Sequence, residues 1–283
     1  MRIGITTDTH ANPWAQNAVF KYLKTREIDS LYNLGDLVGM FPDVVPVVER
    51  AKDECNVNLL GNHDSILLRD FQDDGKRWER IAAIYFNSFS LKQEHLDFLN
   101  SLYLEYKING LLFVHNSPFD PKERTKEYMH TRLGLDNSHK ILQLSNSENH
   151  VAVKGHSHRA RVYKIRKGLN AINEGDVEIF NLNRSNSSSD TLEVVINPDF
   201  FYLVEVSSTC GANTIFTKEE DLDYRPGGGI ITYDSSSKNG KILLFKTNEG
   251  YDADSFVKSV RSNKDWNEFP EAQKQIKYLE NRL

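Results

Sequence analysis

The chain has 283 residues, a formal net charge of −5 and a hydrophobic fraction of 39%. This length allows one large domain or two small ones with a sizeable core, and the mild acidity argues against a long nucleic-acid footprint, which usually shows as a basic surplus. No window approaches the roughly 18 apolar residues of a membrane span, and the N-terminus lacks the regions of a signal peptide, so we expect a cytoplasmic protein that does not use a membrane.

The first sixty residues alternate strand and helix signals. Short apolar runs predict strands at Arg2–Thr6, Ser30–Leu34 and Cys55–Leu60, and helical stripes of apolar residues predict helices at Pro13–Lys24 and Pro42–Lys52. This βαβαβ order predicts mainly parallel strands that are covered by helices.

The middle of the chain continues with helices and a hairpin. An Asn109-Gly110 pair between two strand-like runs predicts a tight hairpin turn. The predicted helices are Lys76–Phe89, Gln93–Leu102, Lys122–Gly134 and Ser138–Ser145, and the predicted strands are Tyr103–Ile108, Leu111–His115 and Val151–Lys154. The alternation of helices and strands therefore extends to residue 154.

The second half, residues 159–250, is rich in short strand candidates that are separated by polar or glycine-rich turns. They are Val162–Ile165, Val177–Asn181, Leu192–Ile196, Phe200–Val206, Ile230–Tyr233 and Ile242–Lys246. This pattern predicts an antiparallel sheet that joins or faces the first half. The serine-rich stretch Asn183–Asp190 predicts a flexible hairpin tip. The charged tail, residues 253–283, is predicted to be helical and to end in Glu271–Arg282.

Acids, amides and imidazoles follow five of the predicted strands, at the point where each strand ends. They are Asp8 and His10, Asp36, Asn62 and His63, His115, and His156 and His158. Because ligand sites in open α/β sheets form outside the carboxyl ends of the strands, these side chains are expected to meet at one edge. Asp8-Thr9-His10 is expected to be extended, so that its alternate side chains reach the same side. The pair His156 and His158 has the same spacing.

These residue types favour metal chemistry. Carboxylate, imidazole and amide ligands without cysteine suit Mn, Fe, Zn, Ni or Mg better than they suit a thiolate-rich structural zinc site. Asp36 is the natural bridge between two ions, since one carboxylate can offer an oxygen to each. Two ions roughly 3.5–4 Å apart would stabilise both the attacking and the leaving oxygen of an in-line displacement. We therefore expect two divalent metal ions.

The whole ordered set resembles the calcineurin-like metallophosphoesterases. The motifs are Asp8-Thr9-His10, Gly35-Asp36, Gly61-Asn62-His63-Asp64, His115 and Gly155-His156-Ser157-His158. The stretch Gly35-Asp36-Leu37-Val38-Gly39, followed by Pro42, looks like the smaller stand-alone phosphoesterases of bacteria and archaea. The resemblance covers residues 8–158. It implies an α/β (α+β) fold, a four-layer αββα sandwich of two mixed β-sheets flanked by helices, in a single domain over residues 1–283.

The resemblance also implies a role for each residue. The first metal would be held by Asp8, His10, Asp36 and His158, and the second by Asp36, Asn62, His115 and His156. A metal-bridging water or hydroxide would attack phosphorus. His63 would protonate the leaving oxygen or stabilise its charge, and Asp64 would help to orient His63.

The chain departs from the family pattern in three places. Family members often have Gly where this chain has Ala11 and Asn116. Gly39 stands where the phosphoprotein phosphatases carry an arginine that clamps phosphate, which argues against a Ser/Thr protein phosphatase. The stretch Leu203–Gly211 falls where relatives often carry an Asn-Pro-Gly-Ser turn and has none.

Residues outside these motifs have simpler interpretations. Arg159 is a candidate for binding substrate phosphate, although solvation at the surface explains it equally well. Phe41 and Trp78 are candidates for a pocket wall, but apolar residues more often belong to the core. His95, His130, His139 and His150 are expected to be structural or solvated. The two cysteines, Cys55 and Cys210, are expected to be buried thiols rather than a disulfide.

Three functions are compatible with the pattern. The leading one is hydrolysis of a small phosphomonoester, phosphodiester or nucleotide. A non-catalytic scaffold of the same fold is an alternative, but scaffolds of this kind have lost ligands that this chain retains. A nuclease or nucleotide phosphodiesterase is the third, although the acidity argues against long duplexes. The substrate depends on pocket walls expected from Phe41–Pro42, Asp64–Trp78, Pro118–Gly134 and Arg159–Arg161. An apolar stripe on the tail would allow a homo-oligomer.

Overall fold

Two β-sheets face each other and helices cover their outer faces in the computed structural model of the protein. The structure describes residues 1–69, 78–119, 138–182, 190–210 and 225–268. The strands in these ranges are β1 Arg2–Thr6, β2 Ser30–Asn33, β3 Val57–Asn58, β4 Glu105–Ile108, β5 Leu111–Val114, β6 Val151–Lys154, β7 Arg161–Arg166, β8 Val177–Asn181, β9 Thr191–Ile196, β10 Phe200–Glu205, β11 Gly227–Asp234 and β12 Asn239–Lys246.

Each sheet is mixed and has six strands within the described residues. The first sheet has the order β3-β2-β1-β11-β12-β9, and β1, β2 and β3 run parallel to one another. The second sheet has the order β4-β5-β6-β10-β7-β8, in which β5, β6 and β10 are parallel. The predicted parallel arrangement of the first three strands is therefore confirmed.

The alternation of side chains along the strands builds the core between the two sheets. Ile3 and Ile5 of β1 and Val151 and Val153 of β6 are buried in one cluster between the sheets. Ala152, between the two valines, points to the opposite face of the second sheet. Each buried aliphatic side chain of this kind contributes about 1.5–3 kcal/mol relative to an exposed one, so this alternation fixes which face of each strand turns inward.

The helices form the outer layers. They are α1 Pro13–Lys24, α2 Val44–Glu54, α3 Asn62–Leu68, α4 Trp78–Ser90, α5 Gln93–Asn100, α6 Ser138–Ser145, α7 Ala253–Ser262 and α8 Lys264–Asn267. Val19, Phe20 and Leu23 of α1 pack on the outer face of the first sheet, and Ile141 and Leu144 of α6 pack on that of the second. The four layers confirm the predicted αββα sandwich.

Strands of the second half do not form a sheet of their own. β9, β11 and β12 extend the first sheet, while β7, β8 and β10 extend the second, and β10 is parallel to β6. The expectation of one antiparallel sheet was wrong on these points. A period-two pattern reports which face of a strand is buried, but it does not report which neighbour the strand pairs with.

Several boundaries also differ. Helix α2 begins at Val44, two residues later than predicted, and Asp43 is its N-cap residue. The third strand is shorter than predicted, and Leu59 pairs only through an isolated bridge with Tyr103. The predicted helices Lys122–Gly134 and Glu271–Arg282 and the hairpin tip 183–189 lie outside the described residues.

Three smaller predictions can be compared directly. The Asn109-Gly110 turn joins β4 to β5 with positive φ angles of 52° and 83° at the two residues, as a tight hairpin requires. Cys55 and Cys210 are free thiols. In the described part of the chain, no helix is both long enough and apolar enough to cross a membrane.

Candidate metal centre

The polar side chains singled out in the sequence meet where the strands of both sheets end. Asp8, Asp36 and Asn62 follow β1, β2 and β3 of the first sheet, whereas His115 and His156 follow β5 and β6 of the second. The complete set is buried: Asp8, His10, Asp36, Asn62, His63, His115, His156 and His158. The centre therefore lies at the carboxyl ends of strands from both sheets, not at the edge of one sheet alone.

Three groups among these residues place one potential ligand atom from each side chain within 4.8 Å of the others. The groups are Asp8, His10 and His158, then His10, Asp36 and His63, and then Asp36, His115 and His156. The first group contains three of the four residues predicted for one ion, and the third group contains three of the four predicted for the other. Asp36 and His10 connect them through the second group, as a bridging arrangement requires.

The first group is tightly packed. Nε2 of His158 lies 3.2 Å from Oδ1 of Asp8 and 3.2 Å from Nε2 of His10. Nε2 of His10 is also 3.9 Å from Oδ1 of Asp8 and 3.8 Å from Oδ2 of Asp36. One small volume is thus bordered by two imidazole nitrogens and two carboxylate oxygens.

Asn62 lies beside the third group, which contains Asp36, His115 and His156. Nε2 of His115 lies 3.3 Å from Oδ2 of Asp36 and 3.2 Å from Oδ1 of Asn62. Oδ1 of Asn62 is also 2.7 Å from Nδ1 of His156. Oδ2 of Asp36 thus lies near ligand nitrogens of both the first and the third group, His10 and His115.

Backbone carbonyls orient two of the imidazoles. Nδ1 of His10 lies 3.1 Å from the carbonyl oxygen of Val38, and Nδ1 of His115 lies 2.7 Å from that of Leu34. A carbonyl can only accept, so each Nδ1 carries a hydrogen and each Nε2 is turned towards the centre.

The electrostatics of the centre call for a positive charge. Burial lowers the pKa of His10 to about 4, so its inward nitrogen presents a lone pair at neutral pH. Burial also acts to lower the pKa of His115, but the charge and hydrogen bond of Asp36, together with the charges of Asp8 and Asp64, outweigh it and raise this pKa to about 9. A donor set of carboxylate, imidazole and amide atoms that faces such a volume fits divalent cations.

The backbone of the ligand loops is not extended. Asp8 and His10 have φ angles of 53° and 49°, and His156 and His158 have φ angles of 64° and 56°. The expectation of extended segments was wrong, because β1 ends at Thr6 and the chain then turns through the left-handed region. Non-glycine residues held there carry strain of order 1–3 kcal/mol each, and they persist only where their surroundings impose it.

A loop from the second half imposes the conformation of Asp8. The carbonyl oxygen of Asp8 accepts hydrogen bonds from Oγ of Ser208 (2.9 Å) and from the backbone N–H of Cys210 (3.1 Å). The N–H of Thr209 also donates to the carbonyl of Thr7 at 2.8 Å. The stretch that lacks the family's Asn-Pro-Gly-Ser turn thus holds the loop of Asp8 through hydrogen bonds to its backbone.

Asp64 joins two of the loops through their backbones. Its carboxylate accepts hydrogen bonds from the N–H groups of Asp36, Leu37 and Val38, at 2.9, 2.9 and 3.2 Å. It accepts a further bond from Gly61 at 2.9 Å. Asp64 thus ties together the backbones of the loop after β2, which carries Asp36, and the loop before α3, which leads to His63.

His63 lies between these loops. Its backbone N–H donates to Oδ1 of Asp36 at 2.7 Å, and its ring meets the ring of His10 edge-on with centroids 4.5 Å apart. The loop of Asp36 and the loop of His63 come this close because residue 61 is a glycine. A Cβ at Gly61 would lie 2.1 Å from Oδ1 of Asp36.

The remaining candidates lie elsewhere or are structural. Arg159 follows His158 and is half-buried. Phe41 is buried against Phe256 of α7, with ring centroids 4.8 Å apart, so it belongs to an apolar cluster and not to a pocket wall. His95 accepts the N–H of Lys92 at the start of α5. The other residues concerned are His139, exposed on α6, His150, buried before β6, His130, outside the described residues, and Trp78, whose side chain is also outside them.

Two residues with direct contacts to the loops escaped the sequence analysis. Ser208 lies in a stretch that drew attention only because a family motif is missing. Asn87 of α4 is buried and bonds to the loop that follows Asp36. A lone asparagine within a helical pattern belongs to no motif, so the only available signal was an amide among the apolar residues of α4.

Comparisons with known proteins agree with this geometry. Residues 1–192 match the sequence model described as the calcineurin-like phosphoesterase superfamily domain. The chain is 34% identical over 125 residues to an uncharacterized protein of Methanocaldococcus jannaschii; the match covers 42% of this chain and 51% of that protein. The match thus spans about half the length of this curated relative.

Two solved structures share the fold. A metallophosphoesterase from Sphaerobacter thermophilus superimposes with a TM-score of 0.71 at 21% identity, over 99% of both chains. A hypothetical protein from Pyrococcus horikoshii OT3 superimposes with a TM-score of 0.64 at 14% identity, over 98% of this chain and 97% of that one. Both coverages include β10, β11 and β12, which lie beyond residue 192.

Proposed function

Because this chain belongs to the calcineurin-like phosphoesterase superfamily, whose members are metal-dependent phosphoesterases, we propose that it hydrolyses a small phosphate ester or nucleotide with two divalent ions and His63 as the general acid. The observation that carries this proposal is the position of Asp36. Its Oδ2 lies 3.8 Å from Nε2 of His10 in one group and 3.3 Å from Nε2 of His115 in the other.

The residues divide the work of holding two ions. Asp8, His10 and His158 would hold one ion, Asn62, His115 and His156 would hold the other, and Asp36 would serve both. Divalent ions at these positions would lower the pKa of a coordinated water and offset charge on the phosphoryl oxygens. The backbone carbonyls of Val38 and Leu34 keep the inward nitrogens of His10 and His115 available as ligands.

His63 would supply the proton for the leaving oxygen. Its ring adjoins His10, while its backbone N–H is bonded to Asp36, so it is held beside the centre without being needed to complete either ion site. General acid catalysis of this kind contributes about 10²–10⁴-fold, most for poor leaving groups. Asp64 supports the arrangement through four backbone N–H groups.

The completeness of the donor set argues against a scaffold. Each predicted ligand is buried, and all but Asn62 belong to groups whose ligand atoms lie within 4.8 Å of one another. Oδ1 of Asn62 lies 3.2 Å from Nε2 of His115 and 2.7 Å from Nδ1 of His156. The net charge of −5 favours small esters, cyclic nucleotides or dinucleoside polyphosphates over long nucleic acids. The physiological ion is one of Mn, Fe, Zn, Ni or Mg, and ligand type alone does not select among them.

The test is hydrolysis of p-nitrophenyl phosphate and bis-p-nitrophenyl phosphate by protein that is stripped of metal and then supplied with each ion. We expect turnover that depends on metal and is abolished in Asp36→Asn. The preferred ester distinguishes a phosphomonoesterase from a phosphodiesterase. Two bound ions with no turnover of either ester under any metal would count against the proposal and favour the scaffold.

A further inference from the structure

The turn that follows the Asp36 loop has an unusual conformation. The N–H of Phe41 donates to the carbonyl of Gly39 at 2.7 Å, which closes a three-residue turn. Gly39 has a φ of 90°, and the central residue, Met40, has a φ of 58°. Turns closed across a central residue with positive φ are rare and strained, so the surroundings must hold this one in place.

Asn87 holds both ends of this turn. Its Oδ1 accepts the N–H of Gly39 at 2.6 Å, and its Nδ2 donates to the carbonyl oxygen of Phe41 at 2.9 Å. The side chain is completely buried in α4. A buried amide that bonds two backbone groups of one turn fixes the turn at two points and leaves it little freedom.

The clamped turn lies directly against His63. A Cβ added at Gly39 would lie 2.2 Å from Nδ1 of His63 and 3.1 Å from its Cε1. The imidazole thus has the Gly39 backbone on one side and the ring of His10 on another. Movement of the turn would change the space in which the ring of His63 sits.

We propose that Asn87 is a positioning residue for His63, which it acts on through the Gly39–Phe41 turn. Asn87 holds the N–H of the Val38–Gly39 peptide, and the carbonyl of the same peptide orients His10. A smaller effect on the ion site of His10 therefore accompanies the effect on His63. The inference rests on the proposed role of His63 as general acid. It adds a residue from α4, outside the five metal-site motifs, to the machinery that sets how well a poor leaving group departs.

The experiment compares two substitutions at residue 87. Asn87→Ala removes both hydrogen bonds. Asn87→Leu removes them while keeping the branching at Cγ and the number of side-chain heavy atoms, so it keeps the test open where a cavity would prevent folding. Ser145→Ala is the matched control, because Ser145 of α6 is equally buried and also bonds two backbone groups of one turn. Its Oγ donates to the carbonyl of Arg166 at 2.8 Å and accepts the N–H of Leu169 at 2.9 Å. His63→Ala is the reference for complete loss of the acid.

Two readouts separate positioning from a general loss of stability. The first is kcat/KM for p-nitrophenyl and phenyl esters, which have a good and a poor leaving group. We expect kcat/KM of both Asn87 variants to fall about 10-fold or more on the phenyl ester and much less on the p-nitrophenyl ester. Their metal affinity should change less than kcat/KM for the phenyl ester does. Ser145→Ala should leave kcat/KM unchanged or lower it by the same factor for both substrates.

The second readout does not need turnover. In zinc-loaded protein with ¹⁵N-labelled histidine, the ring signals of His63 are assigned by their absence in His63→Ala. They should shift or broaden in both Asn87 variants and stay in place in Ser145→Ala. Unchanged His63 signals, or equal losses on the two esters, would overturn the inference. If His63→Ala itself showed no dependence on the leaving group, the proposed acid role would fail, while the ring signals would still report whether Asn87 positions His63.

Discussion

Nε2 of His115 lies 3.3 Å from Oδ2 of Asp36, a separation that favours a positive charge between the two atoms. In the metal-free protein that charge is a proton, because Asp36, with Asp8 and Asp64, overcomes the effect of burial and raises the pKa of His115 to about 9. A divalent ion at the same place would have to displace it. Metal binding and protonation of His115 are therefore in competition.

This competition predicts a pH dependence of metal binding. At pH 7 His115 is protonated, so the binding of the second ion should release close to one proton. Its apparent affinity should rise by about tenfold per pH unit up to about pH 9 and then level off. Titration calorimetry in two buffers with different ionisation enthalpies measures the released proton. His139→Ala, at an exposed histidine of α6, is the control, and an affinity independent of pH between 7 and 9 would contradict the prediction.

The same pair predicts an effect on the metal-free protein. The folded pKa of His115 lies above its unfolded value, so His115 stabilises the fold below about pH 6.5. That contribution should be lost progressively as the pH rises through 9. Urea unfolding of the metal-free protein at several pH values measures it. In a His115→Gln variant, the free energy of unfolding should no longer fall in this way between pH 6.5 and 9. The same pH dependence in both proteins would show that other groups cause it.

Asp36→Asn should remove most of the bound metal and the activity. Asparagine keeps the shape but loses the charge that both groups of ligands share, so we expect a loss of at least about 100-fold in affinity. Metal content after dialysis and turnover with each ion measure the two effects. Asp176→Asn, at an acid outside the site, serves as the control. Wild-type metal content in Asp36→Asn would exclude a bridging role.

His63→Ala should separate binding from chemistry. The variant should retain both ions, since neither the first nor the third group includes His63. Its turnover should fall by about 10²–10⁴-fold on esters with poor leaving groups. Full activity on phenyl phosphate would show that another group donates the proton.

Ser208→Ala tests the support of Asp8. The variant loses the hydrogen bond from Oγ to the carbonyl of Asp8, which is worth about 1 kcal/mol in stability. Because Asp8 is held at a strained φ, its side chain should also become less well positioned. We expect weaker binding of the ion held by Asp8, His10 and His158, with the other ion unaffected. Calorimetry with thermal denaturation measures both, and Ser235→Ala, at an exposed turn, is the control.

The clustering of the aspartate, histidine and asparagine side chains could be predicted from the sequence, because each follows a predicted strand and the ends of such strands converge. The αββα architecture followed from the resemblance of Asp8 through His158 to a known family. The positions of β7 to β12 were not readable, since short alternating strands do not encode their neighbours. The left-handed conformation of Asp8 and His10 was also hidden, because it depends on contacts with Gly35 and Ser208 that are remote in sequence.

The hydrogen bonds from Ser208 and Cys210 to Asp8 also bear on how the protein is made. Every predicted ligand is synthesised before residue 208, so the loop that holds Asp8 in place is added only after the ligands are complete. A nascent chain that ends near residue 192 would carry all its ligands and still lack β10, which lies between β6 and β7. We expect such a chain to capture metal poorly, so that the centre is loaded only after synthesis has passed the second half.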